Sequence, residues 1–277
     1  MKSLRVLPVF LAILSVPAIA DDPYITPSDA VAGHPDLTYS ELLKQVIPDL
    51  ADDGSGGHLP DGIRHVNDDA EGEAPETVDI PFLNVAHLQV SGNPTLWLLT
   101  DLGGGGTLGT YTLLSVFSDE AQPKLIDAVE VDTDRFTNFF SDEPLRVSKT
   151  DQAMLIDSNH FNSEQNYSSP ELVLLRDGKL VPGAPTFLVF GVHSCHMLQE
   201  ETLTMTSKAS GKGYWPITAT ISRALTRNKD DEDCLPDDAP SKTKTFSATF
   251  KWDAETSQYR TSSKELDQLA TADENLF

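Results

Sequence analysis

The stretch TDLGGGGTLGTY, Thr100 to Tyr111, decides how the chain is read. Its glycines, Gly103 to Gly106, suggest either a loop that cradles phosphate or the tip of a hairpin. A phosphate cradle needs its glycines to lead into a helix, whose N-terminal amides and dipole hold the anion. Here they lead into YTLLSVF, Tyr111 to Phe117, a strand-like run, and the Lys-Ser/Thr ending of a nucleotide loop is missing. The glycines therefore read as a wide hairpin loop in which positive φ carries no Cβ penalty.

The same grammar recurs twice. LWLLTD, a glycine loop and YTLLSVF align with AMLIDS, NHFNSEQN and YSSPELVLL, and again with TLTMTS, KASGKG and YWPITATIS. Each copy is a strand, a loop and a tyrosine (Tyr111, Tyr167, Tyr214) before the next strand. Leu98, Leu155 and Leu203 stand 57 and 48 residues apart, a spacing typical of stacked β-meanders or propeller blades. Other runs from Thr77 onward, such as VDIPFLNV, KLIDAVEV, TFLVFGVH and TFSATFKW, are short, β-branched or aromatic, and bounded by Gly, Pro, Asp and Asn. The expected fold is all-β, built of antiparallel meander repeats and propeller-like, with a β-sandwich as the alternative. A short helix is expected at each end.

Residues 1–20 carry Lys2 and Arg5, an apolar run and a small-residue AIA ending, the pattern of a signal peptide cleaved near Ala20. The protein is therefore expected to be periplasmic or secreted, and without membrane insertion. Residues 21–76 are expected to hold one helix and an acidic linker. Tyr39, Leu42, Leu43, Val46 and Ile47 share a helical face, Thr38 or Ser40 caps it, and Pro48 ends it. The segments ADDGSGGHLPDG and NDDAEGEAPE carry too little apolar surface to offset the entropy of ordering them. Residues 77–260 form the β domain, and residues 261–277 a C-terminal helix and tail capped by Ser262 or Ser263.

Removing residues 1–20, which hold two cations and no acid, moves the formal charge from −23 to −25. Such a surface repels nucleic acid and suits a cationic protein or peptide. Cys195 and Cys234 are the two cysteines, and in exported sequence they are expected to form a disulfide, worth on the order of 3 to 4 kcal/mol by loop closure.

Taken together, a strand ending in Asp or Ser, a Gly/Asn-rich loop, an aromatic residue and runs such as LVLLRDGKLVPGAPTFLVF resemble the repeats of exported bacterial FG-GAP and VCBS-type propeller proteins. The resemblance spans Asn93 to about Tyr259 and lacks that family's D-x-D-x-D-G calcium loop. It implies a binding or scaffold role, with loops gathered at one end of the sheets. A second resemblance is local: SGKGY, Ser210 to Tyr214, is similar to the S-G-x-x-Y loop of periplasmic inhibitors of C-type lysozyme. It implies that the Ser210 and Tyr214 hydroxyls would bond to catalytic carboxylates.

Candidate chemistry is sparse. DTDRFTNFFSDE, from Asp132 to Glu143, places Asp132, Asp134, Asn138 and Glu143 at calcium-loop positions, but Phe136 and Thr137 stand where an oxygen ligand and a glycine are needed, so an acidic surface turn is expected. HSCHM places His193 and Cys195 on one face of a strand and His196 on the other, which does not converge on a metal. No G-x-S-x-G, H-E-x-x-H or Ser-Lys set is present. The expectation is a non-catalytic binding or scaffold protein with no cofactor or metal. The lysozyme inhibitor and a hydrolase with a site assembled from distant loops are the alternatives. Candidate binding residues are Gly104 and Gly105 in the first loop, His160 in the second, and Ser210 and Tyr214 in the third.

Overall fold

A computed structural model describes residues 24–67, 75–103, 111–131, 134–193, 197–227 and 241–274. The elements in chain order are β1 (Ala30–Val31), β2 (His34–Thr38), α1 (Tyr39–Leu43), β3 (Ser55–Gly57), β4 (Val78–Asp79), β5 (Asn84–Val90), β6 (Asn93–Asp101), β7 (Thr112–Ser118) and β8 (Leu125–Glu130). There follow β9 (Phe136–Phe139), β10 (Leu145–Arg146), β11 (Gln152–Phe161), β12 (Gln165–Arg176), β13 (Lys179–Pro182), β14 (Val189–His193), β15 (Met197–Ser207), β16 (Ile217–Arg227), β17 (Lys242–Asp253), β18 (Gln258–Arg260) and α2 (Glu265–Glu274). The protein is all-β with two short helices, and its paired strands run antiparallel.

Strands β5 to β8 form a four-stranded meander. The TLWLLT run in β6 is buried throughout because both faces of this sheet are covered. Leu96 and Leu98 pack with Leu113 and Phe117 against α1, while Trp97 and Leu99 pack against Met154, Ile156, Val173 and Leu175 of a second sheet. That sheet has ten strands, in the order β10-β11-β12-β14-β15-β16-β17-β18, with β9 beside β11 and β13 beside β12. Alternation along β12 sends Val173 and Leu175 toward the meander. Leu172 and Leu174 point instead into a separate core with Leu203, Ile217, Phe250, Tyr259 and, from α2, Leu269. The large sheet thus curls over its own core without closing into a barrel.

The N-terminal helix starts where the apolar spacing predicts but ends at Leu43, with Lys44 as its C-cap, so Val46 and Ile47 lie in the turns that follow and not on the helix, before Pro48. Thr38 caps α1 in a capping box: its hydroxyl accepts from Glu41 N at 3.3 Å, and Glu41 Oε2 accepts from Thr38 N at 2.8 Å. Tyr39, Leu42, Leu43, Val46 and Ile47 are all buried against the meander. Thr38→Ala is expected to lower stability by about 1 kcal/mol, read from the urea midpoint.

The following segment departs from the linker expected there. Ser55–Gly57 pairs with Val78–Asp79, and Val66 is buried between the sheets. Backbone pairing supplies the order that apolar composition alone did not suggest. Gly54 makes the turn at φ +89°, and a Cβ there would lie 2.5 Å from Pro27 Cγ and 2.7 Å from the Ile80 carbonyl oxygen. Residues 68–74 of the acidic stretch lie outside the described residues, as does the leader at 1–20.

The three tyrosine-led segments are each an antiparallel hairpin: β6–β7, β11–β12 and β15–β16. Leu102 N donates to Tyr111 O at 2.9 Å and Tyr111 N to Gly103 O at 3.2 Å, so the β6–β7 hairpin pairing extends to Leu102, Gly103 and Tyr111, while Gly104 to Gly106 lie outside the described residues. Gly103 takes φ +72°, and its N–H is held by Asp101 Oδ1 at 2.8 Å. The first hairpin sits in the meander and the other two share the ten-stranded sheet, so the large sheet is not divided into blade-like units. The tyrosines also differ in use: Tyr111 bonds the Glu130 carboxyl, Tyr167 lies within β12 stacked on His160, and Tyr214 lies before β16 against Trp252. The middle of DTDRFTNFFSDE, expected as a surface turn, is strand β9, paired with β11.

Candidate functional site

Two surfaces present polar and aromatic side chains together. The first is the far end of β9, β11 and β12. Phe136 pairs with Asn159, Asn138 with Asp157, Asn159 with Ser168, and Phe161 with Asn166. Paired residues share a face and every second residue repeats it. Phe136, Asn138, Asp157, Asn159, Phe161, Asn166 and Ser168 therefore lie on one side of the sheet. Phe136 is 49% and Phe161 63% exposed, and their rings are near-parallel at 14° with centroids 5.9 Å apart. Asp157 sits between them and the core. Burial pushes its carboxyl above the usual range, opposed by bonds from Ser168 Oγ at 2.6 Å and Asn159 Nδ2 at 3.3 Å.

The opposite face of the same strands is closed. Thr137 and Ser158 share a hydroxyl bond of 2.9 Å, and both are buried. His160, expected at a loop tip, is a strand residue whose Nδ1 bonds Asp134 Oδ2 at 2.5 Å. Its ring stacks on Tyr167 at 5.1 Å, and Tyr167 meets the edge of Phe190 at 4.7 Å. The turn itself is only Asn162 to Glu164, with Asn162 Oδ1 accepting from Glu164 N at 3.0 Å and Gln165 N at 2.9 Å.

The second surface is a cleft of about 560 Å³ between the β5–β6 turn and the β12–β13 turn, within the size range of small-molecule pockets. Asn93, Glu120, Asp151, Arg176, Asp177 and Tyr214 line it. Burial opposes ionisation of Asp151, yet bonds from Ser148 Oγ at 2.5 Å, Ser91 N at 2.8 Å and Thr150 Oγ1 at 2.8 Å hold its carboxyl below the usual range. The Arg176 guanidinium lies 5.1 Å from the centre of the Trp252 ring, a cation–π contact. The Tyr214 ring packs 4.4 Å from that of Trp252, and burial, with the Asp151 charge, pushes its hydroxyl pKa up.

The predicted residues are thus not brought together. Ser210 is exposed on its loop while Tyr214 turns inward onto Trp252, so the pair named by the inhibitor-like SGKGY loop is presented in two different ways. Trp215 N donates to Val147 O at 2.7 Å, which places this loop near the start of β11, whereas His160 stands near its end. At the rise of an extended chain, those ends are roughly 30 Å apart. Loops expected at one edge therefore lie at opposite ends of β11. Gly104, Gly105, Cys195 and Cys234 lie outside the described residues.

The sequence reading misses Phe136 and Phe161. Phe136 enters it only as a misfit in a calcium loop, and neither FTNF nor DSNHF alternates apolar with polar residues, so no local signal marks the shared face that the β9–β11 register creates.

Comparison with protein-family models, curated proteins and solved structures finds no match for this chain. Among the described residues, no group of three or more His, Cys, Asp or Glu side chains is placed to hold a metal ion, and no helix is long and apolar enough to cross a membrane.

Proposed function

We propose that this is an exported binding protein that performs no chemistry itself and captures its ligand on the face holding Phe136 and Phe161. One observation carries the reading: among the described residues, which bury most of their large apolar side chains, Phe136 and Phe161 stack on one another in solvent on a paired sheet, whereas the other exposed aromatic pair, Tyr24 and Phe82, is tilted and lies outside the named strands. Such exposure forgoes about 25 cal/mol for each Å² of ring surface and is the usual mark of an interaction site. The supporting strands are well suited to the task. Beneath the exposed face, Thr137, Ser158, Met154 and Ile156 are buried, so the rings project from a packed sheet instead of a loose loop. Export rests on the leader-like residues 1–20.

The test is capture of cell-envelope extract on immobilised protein, comparing the parent with the Phe136→Ala/Phe161→Ala double variant. Because both rings are exposed, the double variant should keep its melting temperature within a few degrees and lose most of the captured material. Equal capture by the two proteins would show that the binding surface lies elsewhere.

A further inference from the structure

Building on that binding surface, we infer that its ligand is an uncharged polysaccharide, held by stacking of sugar rings on Phe136 and Phe161 and by hydroxyl bonds to Asn138, Asn159 and Asn166. Three features of the face point to this chemistry. Sugar rings present C–H groups on their faces and hydroxyls around their edges, so they require flat aromatic surface bordered by groups that both donate and accept. The two rings stack on one another with centroids 5.9 Å apart, and the surface each leaves exposed, 49% of Phe136 and 63% of Phe161, gives aromatic area on the scale of one sugar unit. Each asparagine amide offers two donors and an acceptor that can meet adjacent hydroxyls, and Asn138, Asn159 and Asn166 alternate with the rings along the three strands.

Charge separates this ligand from the other candidates. The chain holds 43 acidic residues, yet a single one, Asp157, falls at the face positions of these strands, and its two oxygens already accept from Ser168 and Asn159. A polycation would need free carboxylates there. A polyanion would meet the repulsion of a chain with formal charge −23. A folded protein partner or a second copy is disfavoured by size. A stable interface buries about 800 Å² on each side, whereas a fully buried aromatic side chain covers only about 150 to 250 Å², and these two rings are bordered by amides. A polar chain with flat apolar faces fits two rings set among asparagines.

Native affinity electrophoresis with four soluble probes, a β-glucan, a galactomannan, a xylan and a dextran, tests the inference. At least one should retard the full-length protein. Phe161→Ala should weaken that retardation at least tenfold, Phe161→Tyr should restore it, and Ser210→Ala should leave it unchanged. The inference is overturned if none of the four retards the protein or if retardation is indifferent to Phe161→Ala. Loss of envelope capture by the double variant with no retardation by any glycan would leave the surface assignment standing and remove the ligand class. A dimer seen in sedimentation and abolished by Phe161→Ala would assign the face to self-association and overturn the inference.

Discussion

Trp97→Ala is expected to destabilise the protein by about 3 to 5 kcal/mol, the range for removing a fully buried Trp or Phe side chain. Trp97 is completely buried, and its Nε1 donates to Thr95 Oγ1 at 3.0 Å, while that hydroxyl donates in turn to Leu88 O at 3.0 Å. The ring fills the layer between the meander and the ten-stranded sheet, among Val116, Met154, Ile156, Val173 and Leu175. Both walls are paired β-sheet, so the surroundings can relax only partly into the space left behind, which places the loss toward the upper part of the range. Urea unfolding followed by far-UV circular dichroism should show a lower midpoint with an unchanged slope, because the same surface is still exposed on unfolding. Trp97→Phe should lose less, since it keeps most of the volume and leaves Thr95 bonded to Leu88. A loss below about 1 kcal/mol for the alanine variant would mean that the two sheets do not share one cooperative core.

What could be read from the sequence was set by how locally each feature is encoded. The start of α1, its Thr38 cap and the β6–β7 hairpin that flanks the glycines all depend on residues within a few positions of one another, and each is found where expected. The buried run in β6 also identifies itself as strand. Which sheet a hairpin joins is a long-range matter. The equal-looking segments around Tyr111, Tyr167 and Tyr214 are distributed between two sheets by contacts such as Trp97 with Val173, which no spacing announces. The tyrosine that opens each segment is a poor guide to its environment, because Tyr111, Tyr167 and Tyr214 meet a carboxyl, a histidine ring and a tryptophan ring respectively. Order in residues 51–67 is hidden for a related reason. Gly54, Gly57 and Arg64 act through pairing and bonds to distant partners: Ser55–Gly57 with Val78–Asp79, and Arg64 with Asp127 and Leu180 O. The aromatic face escapes notice because Phe136 and Phe161 come from strands 25 residues apart, and only the β9–β11 register makes them neighbours.

Glu171→Gln is expected to stabilise the protein at pH 8 and to do nothing at pH 4. Glu171 lies on β12, 5% exposed, and its Oε2 accepts from Asn67 Nδ2 at 3.1 Å. Burial pushes its carboxyl up to about 7, with the Asn67 bond only partly opposing this. An unfolded glutamate titrates near 4.3, so between about pH 4.5 and 7 the folded protein holds a proton that the unfolded chain releases. The folded state binds more protons across that window, and stability therefore falls as pH rises through it. Below the window both states are protonated and the penalty vanishes. Above it the folded state must ionise a buried carboxyl, a cost of about 3.5 to 4 kcal/mol at roughly 1.4 kcal/mol per pKa unit. Glutamine fixes the neutral form and keeps a carbonyl oxygen for Asn67, so the variant should gain that amount at pH 8. Burial also raises Glu130, Asp157, Glu201 and Asp273, so the parent's own pH curve sums several groups. The difference between parent and variant isolates one of them. Urea midpoints taken from pH 4 to pH 8 should diverge steadily in favour of the substituted chain. A difference that stays flat with pH would mean that water or the Asn67 side chain reaches Glu171 well enough to leave it an ordinary carboxylate.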